Sequence, residues 1–215
     1  MEERSILFNS EMIEAILDGR KTMTRRAIKP QPLWVGDPCT PFKTKDADPK
    51  GVIECPYGIP GDQLWVRETW CVHSNYDSIK PLDLPDRQYL QNGVTYMADV
   101  YNGEKSKWMG KTRPSIFMCR WMSRIQIEIT DIKIERVQDI TKRDAKREGI
   151  VQFTKDGVGF KYGLDSWDWS FKTGFPYMGT TPKIAFEILW DSINAKRGFG
   201  WDMNPFVWVV EFERI

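Results

Sequence analysis

The chain has 215 residues, 31 basic against 30 acidic, for a net charge of +1. Hydrophobic residues make up 41% and charged residues 28%, as in a soluble globular protein, and no run nears the roughly 18 apolar residues of a membrane span. A global cationic field is excluded, so any nucleic-acid contact must come from a local patch.

The first residues, MEERSILFNS, carry acids and no long apolar stretch, which argues against a secretory signal and makes a cytoplasmic location the default. Ile6–Phe8 reads as a short strand. Asn9 can cap the helix that follows, with Phe8 and Ile13 as a hydrophobic staple. Met12, Ile13, Ile16 and Leu17 form its apolar stripe, and Gly19 suits the left-handed stop. The basic stretch DGRKTMTRR begins where this helix ends.

Residues 29–62 are rich in Pro, Gly and Asp and read as loop, with a tight turn at Pro60-Gly61-Asp62. Gln63–Trp70 reads as a strand. Residues 72–112 read as a polar insertion, with a hairpin around Val94–Val100. From Ile125 to Ile134 isoleucines alternate with polar residues, and the phase changes across Asp131, which predicts a bulge. Thr141 with Asp144 resembles a capping box, and Gly149 ends that short helix. Residues 151–180 form a second insertion, with Phe153, Phe160, Tyr162, Trp167, Trp169, Phe171, Phe175 and Tyr177 among glycines. A helix opens at Pro182, with Ile184, Ile188, Leu189 and Ile193 as its expected apolar face. A last strand carries Phe206, Trp208, Val210 and Phe212 on one face and Val207 and Val209 on the other.

This order predicts one α+β domain over residues 1–215, a small mixed β-barrel flanked by two or three helices, with insertions at 72–112 and 151–180.

Several constellations can carry chemistry. A threonine hydroxyl becomes a nucleophile once a base takes its proton, and a desolvated lysine can serve. Lys21 and Thr24 lie three apart on the turn after the first helix. Glu148, at the end of another short helix, can orient the lysine, and Arg26 can hold an anion. The competing reading needs no function: basic residues after a helix C-terminus complement its dipole. Arg67 and Glu68 offer either an internal ion pair or a substrate-lining carboxylate. Arg113, Arg120, Trp121 and Arg124 suit a phosphate backbone with a stacked base, or a solvated strand edge beside a core tryptophan. The aromatic insertion is either a base-stacking lid or a satellite core.

His73 is the single histidine, which excludes mechanisms built on a histidine pair. Cys39, Cys55 and Cys71 are evenly spaced, with His73 two residues on. They lack the close pairing usual for zinc, and the reading calls for no metal and no cofactor.

The GRKTMTRR stretch resembles the G-x-K-x-x-T-x-R signature of ASCH domains, whose β-barrel is similar to that of PUA domains. The wider chain resembles the longer ASCH-domain proteins of bacteriophages and prophages. The matching segments are CPYGIPGDQLWVRETW, RPSIFMCRWMSRIQIEITDIKIERVQDIT, EGI and LWDSINAKRGFGWDMNPFVWVVEFERI. The resemblance implies RNA binding beside the barrel. Small bacterial ASCH proteins include an amidohydrolase that deacetylates N4-acetylcytidine with a lysine, a threonine and a glutamate, which fall on Lys21, Thr24 and Glu148 here. Others are described as ribonucleases. The expected catalytic residues are therefore Lys21, Thr24 and Glu148. Arg26, Arg67, Glu68, Arg120 and Trp121 are the expected contacts to RNA or to a nucleoside or nucleotide. A non-catalytic RNA-binding module is the alternative, and no membrane partner is expected.

Overall fold

The computed structural model describes residues 3–32, 54–100, 104–154, 160–164 and 179–215. Strand β1 (Arg4–Leu7) leads into α1 (Ser10–Leu17) and then β2 (Met23–Ala27). Next come β3 (Gln63–Arg67), the short β4 (Trp70–Cys71) and β5 (Thr95–Tyr96), and the long β6 (Gln126–Arg136). Helix α2 (Lys142–Arg147) precedes β7 (Val151–Thr154) and β8 (Phe160–Gly163). Helix α3 (Pro182–Asn194) and strand β9 (Phe206–Arg214) complete the order.

The fold is α+β. Its main sheet has five strands in the order β1-β3-β6-β9-β2. β1 runs parallel to β3, and the other three pairings are antiparallel. The sheet is open: β1 and β2 stand at its two edges, and no strand pairing closes it into a barrel among the described residues. A side chain bridges the edges instead, since Arg26 donates to the Leu7 carbonyl at 2.6 Å.

Each face of the sheet has its own core. Trp208, Val210 and Phe212 of β9 join Ile6, Phe8, Leu64, Val66, Ile127 and Ile129, with Ile13 and Ile16 of α1 laid over them. Val207 and Val209 point the other way, to Met23, Ile140, Ala145, Phe186, Leu189 and Trp190. A period-two strand with both faces apolar is what a sheet covered on both sides requires. The register of β6 against β9 shifts between Ile129 and Asp131, where the isoleucine phase changes.

Local chemistry sets the helix ends. The Asn9 side chain accepts from the Met12 N–H at 2.9 Å. Gly19 follows α1 with φ of +72°, and the Lys21 N–H returns to the Ala15 carbonyl at 2.8 Å. Thr141 and Asp144 exchange both bonds of a capping box. After α2, Gly149 (φ +103°) donates to Lys146 and Ile150 to Ala145, the paired bonds of a Schellman stop.

Three elements differ from expectation. The stretch after Thr22 is strand, not turn: Met23–Ala27 pairs with β9 from Glu211 to Val207. Thr95–Tyr96 makes no local hairpin but pairs with Trp70–Cys71, over a separate core of Trp70, Val72, Leu84, Leu90, Tyr96, Met118 and Met122. Helix α3 buries Ala185, Phe186, Leu189 and Trp190, whereas Ile184 is 39% exposed. In the second insertion β7 and β8 form a hairpin, while Trp167, Trp169, Phe171, Phe175 and Tyr177 lie outside the described residues. No helix among the described residues is long and apolar enough to cross a membrane.

Candidate active site

The site grows from two helix stops. The stop of α1 turns the chain so that Lys21 enters the interior just before β2. The stop of α2 presents Glu148 at the same place: its backbone N–H closes on Asp144 and its side chain turns inward. Gly149 allows the approach, since a Cβ there would lie 3.2 Å from the Ala15 Cβ and 3.7 Å from that of Lys21. Thr22 N–H to the Arg147 carbonyl and Arg147 Nε to the Thr22 hydroxyl stitch the two segments together.

Lys21 Nζ donates to Glu148 Oε2 at 2.7 Å, to the Glu148 carbonyl at 2.9 Å and to the Met23 carbonyl at 2.7 Å. Its side chain is 0% exposed and that of Glu148 is 3%. All three ammonium protons have acceptors. The charge also caps the last carbonyl of α2, the favourable end of the helix for a cation. Burial depresses the Lys21 pKa below its ordinary value, and Glu148 opposes that fall without cancelling it.

The other Glu148 oxygen faces Arg25, whose Nη1 is 3.4 Å from Oε1. Arg25 is fully buried in its side chain and also reaches Glu135 at 3.0 Å, Asp144 at 3.3 Å and the Met23 sulfur at 3.1 Å. Sequence reasoning missed this residue. Only once Met23–Ala27 is known to be a strand does MTRRA place Arg25 with Met23 and Ala27, opposite Thr24 and Arg26.

Above this cluster lies a cleft of about 470 Å³. Thr24, Arg25, Arg26 and Glu148 line it beside Phe8, Tyr57, Phe186 and Trp190. Lys21 is not among the lining residues; it sits beneath them. The Met23 carbonyl that it binds belongs to the peptide unit leading into Thr24. Among the described residues no hydrogen bond joins the Thr24 hydroxyl to Lys21 or Glu148. The Trp190 indole N–H is held by the Phe199 carbonyl at 2.7 Å, so its ring presents a fixed apolar wall. Burial raises the Tyr57 pKa, against the pull of Arg26. Arg26 stacks over Phe8 at 5.1 Å, and burial lowers its pKa.

No protein-family model, no curated protein and no solved structure matches the chain.

Of the residues expected from sequence, Lys21, Thr24, Glu148 and Arg26 meet at this cleft. The other four line no part of it. Glu68, 1% exposed, is bound by Arg124 through two 2.9 Å bonds, and Arg124 also holds Asp99. The Arg67 and Arg120 guanidiniums lie 4.6 and 5.9 Å from the Trp65 ring centre. Arg67 donates to the Ile116 carbonyl, and Arg120 grips Glu3 with two bonds. Trp121 packs against the core beneath the first insertion. Glu68 and Arg120 are held within the fold, whereas the buried Arg67 Nε has no hydrogen-bond partner. His73 accepts from the Asn75 N–H and stacks on Trp108. No cluster of three metal-ligating side chains occurs among the described residues, and Cys39 lies outside them.

Proposed function

We propose that the chain is an amide hydrolase of ASCH type that acts on an N-acylated nucleoside or nucleotide, with N4-acetylcytidine as the model substrate. The observation that carries this reading is the buried Lys21–Glu148 pair, 2.7 Å apart, beneath a cleft that Thr24 and Glu148 line. A cleft of about 470 Å³ suits a small molecule; the half-buried Tyr57 offers a ring on which a base can stack, and the buried Phe8, Phe186 and Trp190 supply an apolar wall. An open sheet whose edges meet through Arg26, with α1 over one face, is compatible with a PUA-like arrangement.

In this reading Lys21 as free amine takes the Thr24 proton, and Thr24 Oγ1 attacks the acyl carbonyl. The tetrahedral intermediate expels the nucleoside amine, which receives its proton from Lys21. Water, deprotonated by Lys21 in turn, releases the acid from Thr24. Desolvation of Lys21 favours the amine that the first step needs, and Glu148 holds the side chain in place. Release of acetate from N4-acetylcytidine, lost in Lys21→Met and Thr24→Ala, is the test. Full activity in Thr24→Ala would remove the nucleophile.

A second reading has its own observation. With all three Lys21 protons engaged and no bond to Thr24, the pair also suits a rigid, non-catalytic floor for a bound nucleotide or RNA. It calls for salt-dependent RNA binding with Thr24→Ala nearly silent. Absence of RNA binding at low salt would reject it.

A further inference from the structure

The charge of the cleft is unbalanced. Its described lining holds four cations, Arg25, Arg26, Lys29 and Arg197, and one acid, Glu148. That acid is already shared by Lys21 and Arg25. Among the described residues, none of Arg26, Lys29 and Arg197 has an ion-pair partner.

Each of the three is nevertheless placed. Arg26 is fixed by the Leu7 carbonyl and the Phe8 ring, and its buried Nε has no hydrogen-bond partner. Lys29 sits over the Phe199 ring, 4.9 Å from its centre. Gln31 secures that segment, bonding the Ile28 and Phe206 carbonyls and the Phe206 N–H. Arg197 lies in the turn that ends α3, just before Gly198 with φ of +80°. Burial lowers the Arg26 pKa, Tyr57 and Glu148 oppose that fall, and the nearby Arg197 charge adds to it. Like charges gathered at one cleft, one of them partly desolvated, are unfavourable until an anion joins them.

We infer that the cleft recognises its substrate through a phosphate group bound by Arg26, Lys29 and Arg197. Two guanidinium forks and an ammonium can serve several oxygens of a tetrahedral anion at once, which a carboxylate with two oxygens cannot match. A phosphate monoester carries about −1.5 to −2 charges at neutral pH, enough to offset most of the three cations. The substrate class is then a nucleotide, or a nucleotide within a strand, and not a neutral nucleoside. This rests on the reading of the cleft as an acyl-nucleoside site.

The test is calorimetric titration with cytidine, cytidine 5′-monophosphate, cytidine 3′-monophosphate and a short single-stranded cytidine oligonucleotide. At least one phosphorylated ligand is expected to bind ten-fold or more tighter than cytidine, with a preference that shrinks as salt rises. The double variant Lys29→Gln/Arg197→Gln, at two exposed positions, is expected to lose that preference while keeping the wild-type melting temperature and affinity for cytidine. The ranking of monophosphates against the oligonucleotide separates a free nucleotide from a strand phosphate. Equal affinity for cytidine and every phosphorylated ligand would overturn the inference, as would a preference unchanged in the double variant. Hydrolysis of N4-acetylcytidine without any phosphate preference removes the phosphate site and leaves the hydrolase. Phosphate preference without hydrolysis does the reverse.

Discussion

Two buried charge clusters hold this fold, and they differ in what they leave available. Around Glu68, 1% exposed, Arg124 closes with two bonds from Nε and Nη2, holds Asp99 through Nη1 and the same Nη2, and lays its face on the Tyr96 ring, 4.0 Å away. That cluster ties the first insertion to the sheet, since Asp99 and Tyr96 belong to one and Glu68 follows β3 in the other. Around Glu148, Lys21 and Arg25 are equally engaged, but Glu148 itself borders a cleft shared with Thr24 and with Arg26, which makes no ion pair among the described residues. Burial of charge marks both clusters; among the described residues, the Glu148 carboxylate is the one that lines the cleft beside Thr24 and Arg26. A perturbed, ion-paired glutamate is therefore a weak sign of function until its surroundings are known.

Stability measurements separate the clusters most strongly. Glu148→Leu leaves the inaccessible Lys21 without a carboxylate and takes one of three from Arg25, and is expected to cost about 3–5 kcal/mol in urea unfolding. The pairwise replacement Lys21→Met/Glu148→Leu should recover a good part of that loss, while activity stays absent. Arg124→Met is expected to cost about 1–3 kcal/mol, because Glu68 can take up a proton and Asp99, 49% exposed in its side chain, keeps its water. Equal losses in Glu148→Leu and Arg124→Met would erase the distinction between the clusters.

Their pH dependence should also run in opposite directions. Burial raises the Glu68 pKa from 4.5, outweighing Arg124, so above 4.5 the folded chain keeps a proton that the unfolded chain has lost. Stability then falls as pH climbs from 4.5 through the raised value, and Glu68→Gln should flatten that slope. Burial lowers the Lys21 pKa from 10.5, so below 10.5 the folded chain has released a proton that the unfolded chain still binds. Stability then rises with pH through that alkaline window, and Lys21→Met should remove the rise. Urea midpoints across both windows check the two signs.

The smallest expected effect is a control. Asn9 lines the cleft but acts as the cap of α1, so Asn9→Ala should cost about 1 kcal/mol with Lys21, Thr24 and Glu148 in place. Retention of most activity at that stability would show that loss in Lys21→Met is chemical, not a general loosening of the cleft.

Much of the frame was legible in the residues because local rules decide it. Asn9, Gly19, Thr141 with Asp144, and Gly149 mark helix ends through bonds made within a few residues. The facial split of β9 and the phase change at Asp131 follow from period two. β2 was not legible as a strand, since MTRRA carries two charges and its pairing partner lies 180 or more residues away by number. The face of α3 was misjudged for a related reason. Its isoleucines suggested one stripe, but the cavity walls needed the larger rings of Phe186 and Trp190, and Ile184 was left outside. Thr95–Tyr96 found a distant partner where a local hairpin was expected. At the site, Lys21, Thr24 and Glu148 could be named from motif spacing and family resemblance. Arg25 could not, because its role depends on carboxylates of β6 and α2 that only the fold brings to it.

Thr24, above the Lys21–Glu148 pair, is proposed as an acyl-accepting nucleophile. The most direct measurement is acetate release from N4-acetylcytidine at enzyme concentrations near that of substrate, in parallel with mass spectrometry of the intact chain. The expected result is acetate release by the unmodified chain, a transient adduct on Thr24 of roughly 42 Da (one acetyl group added for one proton lost, as covalent catalysis requires), and loss of both in Thr24→Ala and Lys21→Met. No acetate from the unmodified chain, or undiminished release by Thr24→Ala, would contradict it.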